Sequence, residues 1–324
     1  MMTRWRVGII FSLAIGILVF ENCADFKAAS VLSQSSEVGG NHVEQPGPSP
    51  TPMPMPPVII AENDAICSGN PNPNFPKFPN EPANKIRLVD WGFDTIEGGG
   101  LVDAYPDPKK EGHFITSCSD APVSPTSVLK NIRRAAGDGS GGIQIDYFQK
   151  KLDEIYVGLV WKANPDFEGA YGNRLFIILN DHIQGFVSWN KLEGKTMNEG
   201  RIGFSPVAGP NVNNCHLVSD PRCVAGSMNL EANIKPNHSV GLNQWHLVEV
   251  IMKRSSAPGQ KDGRIRWWVD GELLGDYSGL DSGGSQISAV SYQQGWVNRQ
   301  LVNAPPQKGD WYYLADHLRI SEPK

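Results

Sequence analysis

The chain has 324 residues, 40% of them hydrophobic, and its 34 Asp and Glu against 29 Lys and Arg give a formal charge of −5 at pH 7. This length holds one large all-β domain of about 200 to 250 residues together with accessory segments. The mild acidity, with no basic stripe interleaved with aromatics, excludes nucleic acid as a partner, and polyanion binding would need a local rather than a global positive field.

The chain opens with Arg4 and Arg6, followed by fourteen apolar or small residues from Val7 to Phe20. That run is shorter than a relaxed membrane span and has the form of a secretory signal, so the protein is expected to be exported. Phe20-Glu21-Asn22-Cys23 resembles the end of a bacterial lipoprotein signal. The resemblance implies a lipid on Cys23, a membrane anchor, and a periplasmic or cell-surface address. Cleavage near Ala24 or Ala29 is disfavoured because neither has a small residue two positions before it. Residues 1–22 are therefore read as signal peptide and 23–62 as linker. The linker ends in QPGPSPTPMPMPP, which cannot form a core and favours an extended spacer.

Residues 63–324 are assigned to one domain. Four cysteines remain beyond Cys23, namely Cys67, Cys118, Cys215 and Cys223, an even set that favours disulfides in an exported chain. Three pairings are possible. The short loop containing Pro221 favours Cys215 with Cys223, leaving Cys67 with Cys118 to tie the N-terminal lead to the domain. No C-x-x-C pair occurs, so zinc is not expected.

Asn70 to Pro82 reads as an irregular lead, followed by an early strand in IRLVDWGFD. Val128, Leu129 and Ile132 predict one short helix over 127–136, ending at Gly137. Strands are expected at 143–148, 154–162, 173–180, 184–189 and 311–320. The most informative stretch is Trp245 to Tyr277. There His246, Val248, Val250 and Met252 alternate with Leu247, Glu249, Ile251 and Lys253, and Ile265, Trp267 and Val269 alternate with Arg266, Trp268 and Asp270. Asp270-Gly271 then supplies a two-residue hairpin turn.

This wording, together with YVGLVWKANPDFEGAYGNRLFII and the closing YYLADHLRIS, resembles the concanavalin A-like jelly-roll superfamily, including laminin-G-like modules and several polysaccharide lyases. The resemblance implies an all-β fold of two antiparallel sheets packed as a jelly-roll sandwich, with a polysaccharide as partner. Tyr292-Gln293-Gln294 also resembles the Tyr-x-Gln strand of one alginate lyase family, with Tyr292 in the place of the catalytic Tyr.

Lyase chemistry needs a cation to neutralise a uronate carboxylate, a base for the C5 proton and an acid for the leaving oxygen. Candidates are Tyr292, His182, Lys162 and Arg174. Tyr156 and Lys162 share one face of their strand, opposite Ile155, Val157, Leu159 and Trp161, so the polar set could line a groove. For carbohydrate binding without catalysis, Tyr156, Asn180, Trp189, Trp268 and Trp296 are the candidates, since sugar faces stack on aromatic rings. The paired-carboxylate strand of jelly-roll glucanases is absent, and nothing selects Glu154, Glu193 or Glu249 for hydrolysis. Gly137 to Gly142 matches G-x-G-x-x-G, but without a preceding strand and a following helix it reads as a surface loop. Loose oxygen donors such as Asp276, Asp281, Asn180 and Asp181 could hold a structural calcium, but no spaced ligand set defines a metal site, and no cofactor is expected.

Overall fold

The computed structural model describes residues 66–93, 112–124, 127–133, 143–165, 173–180, 183–191, 200–208, 230, 232–280, 284, 286–293 and 311–324. The signal, the linker, Cys23, Cys215 and Cys223 lie outside them. The described residues form thirteen strands and no helix. In order they are β1 (Lys85–Trp91), β2 (Gly112–Thr116), β3 (Val128–Arg133), β4 (Ile143–Leu152), β5 (Glu154–Ala163), β6 (Asn173–Asn180) and β7 (Ile183–Lys191). Then come β8 (Gly200–Ala208), β9 (His246–Lys253), β10 (Gly263–Val269), β11 (Glu272–Leu280), β12 (Ile287–Gln293) and β13 (Trp311–Pro323).

The strands make a two-sheet antiparallel jelly-roll sandwich. One sheet has eight strands in the order β11-β10-β9-β5-β13-β3-β2, with β1 also pairing β13, and the other has five in the order β4-β12-β6-β7-β8. β13 serves two partners along one edge. Its first half pairs β3, from Trp311↔Arg133 to Ala315↔Leu129, and its second half pairs β1, from Leu318↔Trp91 to Pro323↔Lys85. Where the partner changes, the register of β13 against β5 shifts between Ala315 and His317. Asp316, inside that irregularity, accepts the backbone N–H groups of Val123 and Ser124 at 2.5 and 2.8 Å, so an extra residue in the strand pins the loop before β3.

The helix expected over 127–136 is instead the strand β3. The apolar spacing suits a helical face, but Leu129 packs into the main core while its neighbour Val128 packs into a separate cluster with Cys67, Cys118, Ala121 and Leu314. Burial on opposite sides at successive residues is a two-residue period, and pairing with β2 and β13 enforces it.

The core lies between the sheets. Ile155, Val157, Leu159 and Trp161 of β5, with Val248, Val250 and Met252 of β9, face Leu175, Phe176, Ile178, Val187 and Ile202 of the smaller sheet. Trp267 stacks on Tyr277 with ring centroids 5.7 Å apart, and the Trp267 ring occupies the space that a Cβ on Gly275 would need. The predicted hairpin joins β10 to β11. Asp270 and Gly271 both take left-handed φ, 52° and 81°, as a type I′ turn requires. The Asp270 carboxylate accepts the Leu247 N–H at 2.8 Å and lies 2.7 Å from His246 Nδ1, tying the turn to the start of β9.

The outer face of the large sheet is also closed. Phe75 and Phe78, from the irregular lead, pack with Tyr156, Val160, Leu247, Ile251 and Trp268. β5 is consequently buried along almost its whole length and β9 along all but its last residue. Phe78 adopts a left-handed φ of 56°, and a Cβ on Gly158 would lie 2.6 Å from its ring, so the strand is bare where the ring lands. Burying each of the two phenylalanines contributes roughly 1.5–3 kcal/mol.

The Cys67–Cys118 disulfide fastens the beginning of this lead across 51 residues, with Cα atoms 4.9 Å apart. A loop of that size predicts about 4 kcal/mol from restriction of the unfolded chain. Replacing both cysteines by serine is expected to lower stability by about 2–4 kcal/mol in urea denaturation. An unchanged midpoint would show that apolar contacts alone hold the lead.

Candidate functional site

The polar set expected to line a groove on β5 lies on one face, as the alternation requires, but that face is covered. Lys162 is 3% exposed. Its ammonium donates to the Ile66 carbonyl at 2.6 Å and to Asp120 at 2.8 Å, and sits 5.6 Å from the centre of the Trp245 ring. Trp245 Nε1 donates to the same Asp120 carboxylate at 3.1 Å, so the cation and its counterion close the space beneath the lead. The reason for the correction is tertiary: the lead and the Asp120 loop occupy what the strand pattern alone leaves open.

Tyr156 is fully buried and donates its hydroxyl to Glu249 Oε1 at 2.7 Å. Asn80 completes the cluster, its backbone N–H reaching Oε1 at 3.0 Å and its side-chain amide reaching Oε2 at 2.7 Å. Burial pushes the Glu249 carboxyl above its ordinary value of 4.5, against the opposing pull of the Asn80 and Tyr156 hydrogen bonds. Burial, reinforced by the adjacent Glu249 charge, drives the Tyr156 hydroxyl far above the range in which a phenol ionises. Tyr156 is therefore a fixed hydrogen-bond donor. Trp268 is 8% exposed, packed in the same cluster, with the Arg266 guanidinium 5.4 Å from its ring centre. A sugar reaches neither ring unless the lead moves.

The remaining candidates belong to the five-stranded sheet. Arg174 is opposite Ser188, and the next pair is Asn173 with Trp189, both between β6 and β7. Tyr292 is opposite Gln144 on β4, one residue beyond the point where Ser291 pairs Ile177 of β6. Arg174, Trp189 and Tyr292 thus occupy three neighbouring strands toward one end of the sheet. Asn180 pairs Ile287 at the other end, roughly 20 Å along β6 from Arg174 at ~3.3 Å per residue. His182 and Trp296 lie outside the described residues.

The quartet Tyr292, His182, Lys162 and Arg174 is therefore not one constellation. Lys162 is turned to the outer side of the large sheet, so the hydrophobic core stands between it and the strands that carry Arg174 and Tyr292. Sheets pack about 10 Å apart, beyond the reach of groups acting on a single glycosidic bond.

A charged seam along β1 and β13 has no counterpart in the sequence reading. Glu81 pairs with Lys85 at 2.8 Å and Arg87 at 3.1 Å, and accepts the Ser321 hydroxyl at 2.5 Å. Burial opposes ionisation there, but the hydrogen bonds from Lys85, Ser321 and Arg87 hold Glu81 below its ordinary value. Asp90 is also held low: burial again opposes, and the bonds from His317 and Arg319 outweigh it. His317 links Asp90, 2.7 Å from Nε2, to Ser124 Oγ, 3.3 Å from Nδ1. The three atoms have the order of a nucleophile, base and orienting acid, yet the neighbouring N–H groups of Val123 and Ser124 that could serve an oxyanion are engaged by Asp316. The arrangement is a structural latch. Its members come from three segments distant in the chain, 81–90, Ser124 and 317–321, so no local spacing announces the whole of it. The grouping Cys67, Cys118 and Asp120 has its two sulfurs joined to each other, which removes it as a metal centre.

No protein-family model matches the chain, and no curated protein matches it. Among solved structures it is similar to alginate lyase Aly36B, in a mutant complexed with alginate tetrasaccharide, at 13% identity and TM-score 0.49 over 75% of this chain and 98% of that one. It is also similar to the endo-β-1,4-glucuronan lyase of the fungus Trichoderma reesei, at 13% identity and TM-score 0.44 over 72% and 94% of the two chains. A third likeness is to alginate lyase vAL-1 from Chlorella virus, at 12% identity and TM-score 0.42 over 61% and 86%. These neighbours are polysaccharide lyases, and likenesses at such identities lend no residue of this chain a role.

Glu249→Gln presents an amide N–H₂ to donors already aimed at both oxygens, and is expected to cost about 1–3 kcal/mol in urea denaturation. Because folding raises the Glu249 value, its contribution is full below 4.5 and declines as pH rises through the folded value. The margin of the native chain over the variant should therefore narrow from acid toward neutral pH. A margin that widened would refute the assignment.

Proposed function

We propose that the protein is exported, anchored through a lipid on Cys23, and binds a polysaccharide along the five-stranded sheet. The observation that carries this reading is that the outer face of the large sheet is closed over β5 and β9, which leaves Arg174, on β6 of the five-stranded sheet, as the cationic candidate. The register sets Arg174 with Ser188 on one face of that sheet and Trp189 with the core residues Val187 and Ile202 on the other, so Arg174 is the candidate placed to meet the carboxylate of an acidic glycan. The opposite outer surface is filled over β5 and β9 by the protein's own lead, which leaves its aromatic and cationic side chains engaged. The Pro-rich stretch from Gln45 to Pro57 would hold the domain away from the membrane.

A second reading, β-elimination on a uronate-containing glycan, is favoured by the occurrence of Tyr292 and Arg174 on neighbouring strands. In that reaction Arg174 would neutralise the carboxylate at C5. The Tyr292 phenolate would take the C5 proton, the electron pair would form the C4=C5 double bond, and the C4–O bond would break as the phenol so formed returns that proton to the leaving oxygen.

The test uses affinity electrophoresis and ultraviolet absorbance on a panel of neutral and uronate polysaccharides. Binding without a rise in absorbance is expected, weakened about tenfold by Arg174→Gln. Absorbance of unsaturated product that vanishes in Tyr292→Phe would establish the lyase reading instead. Absence of retention on every glycan would overturn both. Mass spectrometry of the native protein should find a diacylglyceryl-Cys23 N-terminus, and any other N-terminus would remove the anchor.

A further inference from the structure

The outer face of the eight-stranded sheet is open at one place beyond the reach of the lead. There Glu154, Lys253, Arg264, Arg266 and Ile251, with Lys261 from the loop between β9 and β10, line a groove of about 380 Å³. The size lies at the lower end of the range for small-molecule sites. The register explains the grouping. Glu154, Lys253, Arg264 and Ser278 form one row across β5, β9, β10 and β11, and Tyr156, Ile251, Arg266 and Asp276 form the next.

Three observations make this a built site. First, its charge is positive in a chain whose net charge is −5, since the lining carries four cationic side chains against Glu154 and Asp262. Asp262 is engaged within its own loop, accepting the Ser256 N–H at 2.8 Å. Second, its walls are fixed. Arg264 is gripped by both oxygens of Asp276 at 2.9 and 2.5 Å, and Arg254 ties the loop by donating to the carbonyls of Ser255, Ser256 and Gly284 at 2.7, 3.0 and 2.8 Å. Gly263, in the lining, has no room for a Cβ, which would lie 2.7 Å from the Leu280 carbonyl oxygen. Third, Arg266 Nε is buried without a hydrogen-bond partner among the described residues. Its guanidinium lies 5.4 Å from the centre of the Trp268 ring, so the side chain is held against the sheet at the groove.

We propose that the groove binds the carboxylate of an acidic sugar unit. The carboxylate lies against the Arg266 guanidinium and accepts from the ammonium groups of Lys253 and Lys261. This is a second site, on the sheet opposite Arg174 and Tyr292, and it does not depend on the reading of the five-stranded sheet. A single uronate unit at this position would fix one end or branch of a glycan while the other sheet handles its chain.

The experiment is a calorimetric or NMR titration of the full mature chain with glucuronate, glucose and inorganic phosphate as separate probes. Saturable glucuronate binding that falls with added salt is expected, with glucose inert and phosphate weaker. Arg266→Gln should weaken glucuronate binding about tenfold and Lys261→Gln several-fold, while Lys324→Gln, an exposed lysine outside the groove, leaves it unchanged. Near-UV circular dichroism checks the fold of Arg266→Gln, and Lys261, exposed in the loop, carries the test if that variant does not fold. Phosphate binding as tight as glucuronate would reduce the groove to a site for any anion and overturn the saccharide assignment. Unchanged binding in both Arg266→Gln and Lys261→Gln, or an equal loss of binding in Lys324→Gln, would overturn the site itself.

Discussion

The contact on which the rest depends is the lead segment pressed onto the outer face of the large sheet. Sandwich strands ordinarily bury one face and wet the other, but β5 and β9 are excluded from water on both. That needs a bare place for the Phe78 ring, provided at Gly158, and an acceptor for the donors trapped beneath, provided by Glu249. A carboxylate shut away from water is costly unless its hydrogen bonds are complete, and Tyr156 with Asn80 completes them. Removing any one of these parts uncovers or frustrates the others, and the disulfide at Cys67 keeps the lead from leaving.

Sealing that surface divides the work of the two sheets. The large sheet spends its central outer face on its own chain, so Tyr156, Lys162 and Trp268 act in packing and in fixing the lead. The candidates Tyr292, Arg174 and Trp189 belong to the other sheet, on β12, β6 and β7. At the end of the large sheet near Ile251 a groove stays open, and there cations collect.

The long strand β13 joins these parts. It lies at the middle of the large sheet, changes partner halfway from β3 to β1, and carries Asp316, His317, Arg319 and Ser321 to the loop and the charged seam. Glu81 and Asp90 stay ionised within that seam because several donors converge on each. The polar groups near the lead are thereby ordered without ligand, which distinguishes them physically from the unsatisfied Arg266 donor.

Alternation along a strand is a local property, and the amino-acid sequence alone determined it. It read out β5, β9, β10 and the Asp270-Gly271 turn and sorted Ile155, Val157, Leu159 and Trp161 toward the core, while the cysteine count left three pairings open and favoured the Cys67–Cys118 bond that the structure forms. It failed where spacing is ambiguous, at Val128, Leu129 and Ile132, because three apolar residues fit a helical face as well as a strand covered on both sides. What lies over each face was decided only in three dimensions. Lys162 looks like a groove residue in one dimension and becomes a buried ion pair once Ile66 and Asp120 arrive from 96 and 42 residues away. The same holds for the Asn80–Glu249 contact, which spans 169 residues. Burial, and with it the charge state and availability of a side chain, depends on neighbours distant in the chain, and periodicity carries no record of them.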